Sequence, residues 1–196
     1  MPKLIGLAGC IGSGKTEVAK HLGSKGFTID AFGKSIKLGA AGVFGVPVSS
    51  FYGTPEDRAK IDPYWRISYR QMLQNFGTEA MQTAFGVNIW IEALWKRHQE
   101  VDYDLVIEDC RFPREADDVI SRGGIVLEIL RPTLETWENK RPWWWTPHLE
   151  DITSEQHASE IPLPRGLVTY QLLNDATIEQ LHLVVDKILG LHDETN

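Results

Sequence analysis

Gly9-Cys10-Ile11-Gly12-Ser13-Gly14-Lys15-Thr16 fits the spacing G-x-x-x-x-G-K-[ST], the pattern of a loop that cradles phosphates with its backbone N–H groups. The context is the one the mechanism requires. The apolar run Leu4-Ile5-Gly6-Leu7-Ala8 leads into it and reads as a buried parallel strand. Behind it, residues 15–22 have helical composition, with Val18, Ala19 and Leu22 on one face. Strand, glycine loop and helix N-terminus together make an anion site, because free N–H groups and the positive end of the helix dipole face the same point. Gly12, Ser13 and Gly14 are the expected backbone cradle. Lys15 is expected at the β- and γ-phosphates, and the Thr16 hydroxyl at Mg2+.

The bulk composition narrows the classes. At 196 residues the chain is expected to be one domain, 1–196, with inserted segments at 43–100 and 131–164. Hydrophobic content of 42% and charged content of 24% are those of a soluble globular protein. A net charge of −7 argues against a long footprint on nucleic acid, which needs clustered Lys and Arg. The two cysteines are Cys10, inside the loop, and Cys110, at a strand end, so a reducing, cytoplasmic setting is expected rather than a disulfide. The chain enters a core strand almost at once, which leaves no room for a signal peptide. No apolar run approaches the ~20 residues of a membrane span.

Strands and helices alternate along the chain, which predicts an α/β fold with a five-stranded parallel sheet flanked by helices. Strands are expected at 4–8, 27–29, 104–109, 125–130 and 167–173. Helices are expected at 31–41, 64–76, 79–85, 89–99, from Pro113 to about Gly123, and at 178–189. Residues 43–63 read as irregular, and Gly77 and Gly86 as breaks. In such sheets ligands bind beyond the strand C-terminal ends. The candidate charged groups fall there: Asp30 ends the second strand, and Glu108, Asp109 and Arg111 close the third. An acidic residue near a phosphate loop can hold Mg2+ or its waters, or accept a proton, and a guanidinium can clamp a phosphoryl group with two parallel bonds. A structural Asp–Arg pair or helix cap is the alternative. Lys34, Lys37, Arg66, Arg70, Arg131, Lys140 and Arg141 add positive charge in the insertions. Arg131 and Arg141 lie in a segment suited to a closing lid that excludes water. The run Trp143-Trp144-Trp145 reads as lid packing or an oligomer contact, which makes a homodimer plausible, or as a surface for a base. The histidines and carboxylates from His148 to Glu160 match no zinc spacing, and no G-x-S-x-G hydrolase elbow occurs.

Several stretches, in order along nearly the whole chain, resemble the deoxynucleoside monophosphate kinases of tailed bacteriophages, a branch of the P-loop kinases. Besides the phosphate loop these are residues 30–37, Arg70-Gln71-Met72-Leu73-Gln74-Asn75-Phe76-Gly77-Thr78-Glu79, Asn88-Ile89-Trp90, Glu108-Asp109-Cys110-Arg111-Phe112-Pro113-Arg114-Glu115-Ala116, His157-Ala158-Ser159-Glu160 and Asn174-Asp175-Ala176-Thr177. The resemblance implies transfer of the ATP γ-phosphoryl group to a deoxynucleoside 5′-monophosphate, with Mg2+ as the metal. It places the acceptor among Lys37, Arg70, Gln74, Thr78, Glu79, Trp90, Arg111 and Glu160, and the adenine near Asn174, Asp175 and Ala176. Lys15, Asp109, Arg111 and Arg131 become the catalytic set, with Thr16 and Asp109 toward the metal. Asn88, Gln82 and Ala176 depart from the family pattern, the first two beside the expected acceptor pocket, where they bear on base selectivity. The opening stretch also resembles dephospho-CoA kinase, but Phe32 stands where that family has Asp. A non-catalytic ATP-binding switch is the alternative from another class.

Overall fold

The computed structural model describes residues 2–99, 102–132 and 162–191. Two compact units divide the chain: Met1–Ala31 with Glu100–Asn196, and Phe32–Gln99.

The first unit holds the sheet. Strands β1 (Leu4–Ala8), β2 (Thr28–Asp30), β3 (Leu105–Ile107), β4 (Ile125–Leu130) and β5 (Tyr170–Leu173) lie in the order β2-β3-β1-β4-β5, all parallel. Helix α1 (Lys15–Ser24) returns the chain from β1 to β2. The register pairs Gly6 with Ile107 on one side and Val126 on the other, so β1 is the central strand. Its side chains Ile5 and Leu7 are fully buried and join Val18 and Leu22 of α1 in one core. The closing helix at Ile178–Leu189 packs Leu181 and Val185 into that core. It starts on a capping box between Thr177 and Gln180. Polar contacts also seam it to α1. His21 Nε2 lies 2.7 Å from Asp186 Oδ1, His182 Nε2 lies 3.2 Å from Glu17 Oε1, and the two imidazoles stack at 4.0 Å. The helix of Pro113–Ser121 opens on proline, whose absent N–H costs nothing in a first turn.

Three strands differ from the sequence reading. The third covers Leu105–Ile107 rather than 104–109. Its neighbour β2 ends at Asp30, whose carbonyl accepts from Glu108 N; past that point Cys110 N still donates to Leu7 O of β1, but among the described residues β2 pairs no further. The fifth is Tyr170–Leu173 rather than 167–173, because a 3-10 turn at Arg165–Leu167 follows Pro164. The second is shifted by one residue and includes Asp30.

The second unit, Phe32–Gln99, is helical and packs around Ala40, Phe51 and Met72. Helix α2 runs Lys34–Phe44, later at both ends than the expected 31–41. The stretch 43–63 is more ordered than its composition suggests. It contains a 3-10 turn at Val48–Phe51 and a short helix, α3 (Pro55–Ala59), fixed by a Thr54–Asp57 capping box. The helix expected from residue 64 begins only at Tyr69, as α4 (Tyr69–Gln74). The buried Asp62 carboxylate accepts from Tyr64 N and Trp65 N, and Arg66 turns left-handed at φ 57, so the chain is spent on a tight turn first. Ser68 then caps α4 by accepting from Gln71 N. Gly77 is no break. The helix continues through a π-helical stretch, Asn75–Gln82, into α5 (Thr83–Phe85), and α6 (Ile89–Arg97) follows Gly86. With α7 at Pro113–Ser121 and α8 at Ile178–Leu189 the helices are complete among the described residues.

Candidate functional site

At the end of β1 the chain must turn sharply and leave its N–H groups facing outward. Gly9 and Gly14 do this with φ values of 122 and 113, a region that side chains disfavour. Both are also sterically closed. A Cβ on Gly9 would stand 2.3 Å from Ile129 O, and one on Gly14 would stand 2.6 Å from Asn174 Nδ2. The Lys15 ammonium donates to Gly9 O and Cys10 O, at 2.6 Å each, and draws the loop around itself. Ser13 is fully buried, and among the described residues its hydroxyl has no hydrogen-bond partner. Its backbone N–H donates to Cys10 O at 3.3 Å, a long bond that it would give up to meet an anion. Thr16, in the first turn of α1, is exposed.

The other strand ends converge on this loop. Arg131, just past β4, donates from Nη1 to Gly12 O at 3.3 Å. Asn174, just past β5, donates from Nδ2 to Ser13 O at 2.7 Å, and its own N–H is held by Leu130 O. Between β5 and α8 lies a cavity of about 380 Å³, lined by Asn174, Asp175, Ala176, Thr177, Leu181 and Val184. Its size suits a small flat ligand. Asp30, buried at the end of β2, accepts from Ala31 N at 2.8 Å.

Past β3 the loop 108–112 carries the half-buried Asp109 and Arg111. Its shape is set by a residue the sequence reading left out of the site, Glu115. The Glu115 carboxylate is 6% exposed and accepts from Arg111 N at 2.8 Å and Phe112 N at 3.0 Å. Burial pushes this carboxyl up to about 7, and the Asp109 charge adds to the shift. The two N–H donors oppose it. The signal for Glu115 is its place two residues after a helix-opening proline, from which a carboxylate reaches back to cap. Burial also raises the Cys110 thiol well above its ordinary range, which makes it an inert packing group. Among the described residues nothing pairs with the Arg111 guanidinium. A half-buried cation with a fixed backbone and an open head group suits an anion.

The first unit thus carries Gly12, Ser13, Gly14, Lys15, Thr16, Arg131 and Asn174 in contact along the loop, and Asp109, Arg111, Asp175 and Ala176 at the ends of strands of the same sheet. Oxygen donors from Thr16 and Asp109, with the remaining positions left to phosphate and water, fit a small hard cation such as Mg2+. Among the described residues no three His, Cys, Asp or Glu side chains gather to hold a metal alone.

In the second unit Lys37 lies with Nζ 4.0 Å from the Tyr52 ring centroid, a contact that local sequence does not signal. Arg70 and Glu79 are exposed, while Gln74 and Thr78 are half-buried. Trp90 differs: it is 7% exposed and donates its indole N–H to Gly77 O at 2.9 Å. Lys140, Arg141, the Trp143-Trp144-Trp145 run, His148 and Glu160 lie outside the described residues, as does most of segment 131–164. Among the described residues no helix is long and apolar enough to cross a membrane.

No family model matches the chain. A protein of Acanthamoeba polyphaga mimivirus, provisionally named a deoxynucleotide monophosphate kinase, is 30% identical over 195 residues, covering 91% of this chain and 92% of the viral protein. Among solved structures, TT1252 from Thermus thermophilus aligns with a TM-score of 0.48 at 18% identity, over 100% of this chain and 99% of that one. Dephospho-CoA kinase from Campylobacter jejuni aligns with a TM-score of 0.46 at 12% identity, over 97% of each chain.

Proposed function

We propose that this chain, which belongs to the deoxynucleotide monophosphate kinase family, moves the γ-phosphoryl group of ATP to a deoxynucleoside 5′-monophosphate and so supplies diphosphates for DNA synthesis. The enzyme class is an ATP-dependent nucleotide monophosphate kinase. One observation supports the transfer most directly. A phosphate loop with its lysine and a second cation that has no partner among the described residues, Arg111, stand at ends of adjacent strands in one sheet. A loop alone suits binding, whereas a second anion seat suits a donor and an acceptor phosphate together.

In this reading the acceptor phosphate is already an anion, so no strong base is needed. Positioning and charge neutralisation carry the rate. The N–H groups of Gly12, Ser13 and Gly14 hold the donor phosphates, and Lys15 leaves its loop carbonyls to follow the transferred group. Arg111 orients the acceptor phosphate, with its backbone pinned by Glu115. Arg131 supplies charge from the start of the lid segment, and Asn174, Asp175 and Ala176 wall the adenine. Thr16 and Asp109 would hold Mg2+, whose chemistry is to neutralise charge shared between the β- and γ-phosphates. Lys37, Arg70, Gln74, Thr78 and Glu79 meet the acceptor nucleoside. The thiols of Cys10 and Cys110 suit a reducing, cytoplasmic setting, that of the host cell if a phage encodes the enzyme.

The test is ADP release with Mg·ATP against the four common deoxynucleoside monophosphates, several base-modified ones, their ribo forms and dephospho-CoA, with Lys15→Ala as blank. Turnover on one or more deoxynucleoside monophosphates is the expected result and names the base. Turnover on dephospho-CoA alone moves the chain to that substrate, and silence across the panel leaves an ATP-binding switch.

A further inference from the structure

The helical run of the second unit changes its winding at one place. From Asn75 to Gln82 the backbone is π-helical, bonded i→i+5, while Gln74 before it and Thr83 after it keep ordinary helical angles. The run Tyr69–Gln74, Asn75–Gln82, Thr83–Phe85 is therefore continuous and widened in its middle. Such a widening needs a cause, and a side-chain donor inserted into the carbonyl ladder is a known one.

Here the contacts meet at Gly77. The Trp90 indole, buried on α6, donates from Nε1 to Gly77 O at 2.9 Å. Gly77 is itself buried, and a Cβ there would stand 2.9 Å from Ile36 Cγ2 of α2. The absent side chain lets α2 approach this turn. The next ring, Phe76, lies against Gly39 of α2, where a Cβ would meet it at 3.0 Å, with its centroid 6.2 Å from that of Trp90. Trp90, Gly77, Phe76 and Ile36 thus clamp the widened turn from two sides.

The widening decides which residues share a face. In α4, Arg70 and Gln74 are one turn apart and stand in line. An i→i+5 turn uses one residue more than an i→i+4 turn. Thr78 and Glu79 therefore flank the line through Gln74, one on each side of it and both on its face. In ordinary α winding Thr78 would keep that face and Glu79 would turn to the next one.

We propose that Trp90 is a positioning residue for the acceptor: through Gly77 it holds the widened turn that gathers Arg70, Gln74, Thr78 and Glu79 onto one face for the sugar and base of a nucleoside monophosphate. This rests on the reading that these four residues meet the acceptor. Trp90 touches no substrate, and its donor atom acts through the turn.

Trp90→Phe removes the N–H and keeps an aromatic ring against Phe76. The acceptor KM, measured with dTMP, dCMP, dAMP and dGMP in turn, rises about tenfold on the best of them, while the ATP KM stays within about twofold. In a Glu79→Gln background the same change raises the acceptor KM by clearly less, because both act on one face. A lowered melting temperature with both KM values unchanged, or strict additivity with Glu79→Gln, overturns the proposal. Should the Phe variant fail to fold, exchange of the Trp90 indole proton in the wild-type protein decides. Saturating dNMP slows it severalfold if the clamp tightens with acceptor, and unchanged exchange overturns it. A wild-type enzyme that neither binds nor phosphorylates any of the four overturns this proposal and the acceptor reading together. An active wild type with an unaffected Phe variant overturns the positioning role alone.

Discussion

Asn174 and Gly14 meet across a gap that admits no further atom: the Asn174 amide nitrogen lies 2.6 Å from where a Cβ on Gly14 would stand, and it donates to Ser13 O at 2.7 Å. The last strand is thereby latched onto the crown of the phosphate loop, and the cavity beside Asn174 keeps a fixed place relative to that loop. Asn174→Ala cuts the latch and leaves the loop glycines intact. Its expected effect is an ATP KM raised about tenfold with the acceptor KM unchanged. Gly14→Ala is harsher, since it meets both φ 113 and the amide. It should destabilise the fold by about 2 kcal/mol or more, read as a shifted urea midpoint, and abolish turnover.

Lys15 has two attachments to lose. On the proposed mechanism Lys15→Ala removes a cation from the transferred phosphate; it also removes the hydrogen bonds to Gly9 O and Cys10 O. The first loss should lower kcat by about a thousandfold or more. The second should cost about 1–3 kcal/mol, visible as a melting point lower by several degrees. A purified, folded variant with near-normal turnover would remove the lysine from the mechanism.

Arg111 tests the second anion seat. Arg111→Lys keeps the charge and loses the planar fork, while Glu115 still holds the backbone through Arg111 N. The acceptor KM should rise about tenfold or more with little change in stability. Equal rises in the ATP and acceptor KM would place Arg111 on the donor instead.

What the sequence showed depended on how local each signal is. The phosphate loop, β1, β4 and the closing helix Ile178–Leu189 were legible because motif, apolar run and capping residues lie within a few positions of one another. The strand-end charges followed from a parallel sheet, which alternation predicts. The winding of Asn75–Gln82 was not legible, since Gly77 reads locally as a break and only the distant Trp90 and Ile36 explain why the helix continues. The late start of α4 was hidden likewise. Asp62 falls in the stretch 43–63 read as irregular, whereas it is buried and organises the Tyr64–Trp65 turn. The bond from the Trp90 indole to Gly77 O was hidden too, since a resemblance marks a residue as belonging to a site without giving its contacts.

Glu115 makes stability depend on pH in a direction opposite to that of an ordinary paired carboxylate. Its group titrates near 4.5 in the unfolded chain and near 7 when folded, chiefly because burial disfavours the charge. Below 4.5 both states hold the proton and the group contributes no penalty. Between 4.5 and 7 the folded state binds more protons than the unfolded one, so stability falls as pH rises. Above 7 the loss is complete, on the order of 3 kcal/mol for a shift of this size. Glu115→Gln keeps a carbonyl oxygen for Arg111 N and Phe112 N and removes the charge. The urea midpoint of the variant, measured from pH 4.5 to 8.5, should therefore lie increasingly above that of the wild type as pH rises. The gap should grow through the interval 4.5–7 and level off beyond it. A gap that is constant with pH would show that Glu115 enters the folded protein without a raised titration. A variant less stable at pH 8 would show that the amide fails to replace the cap.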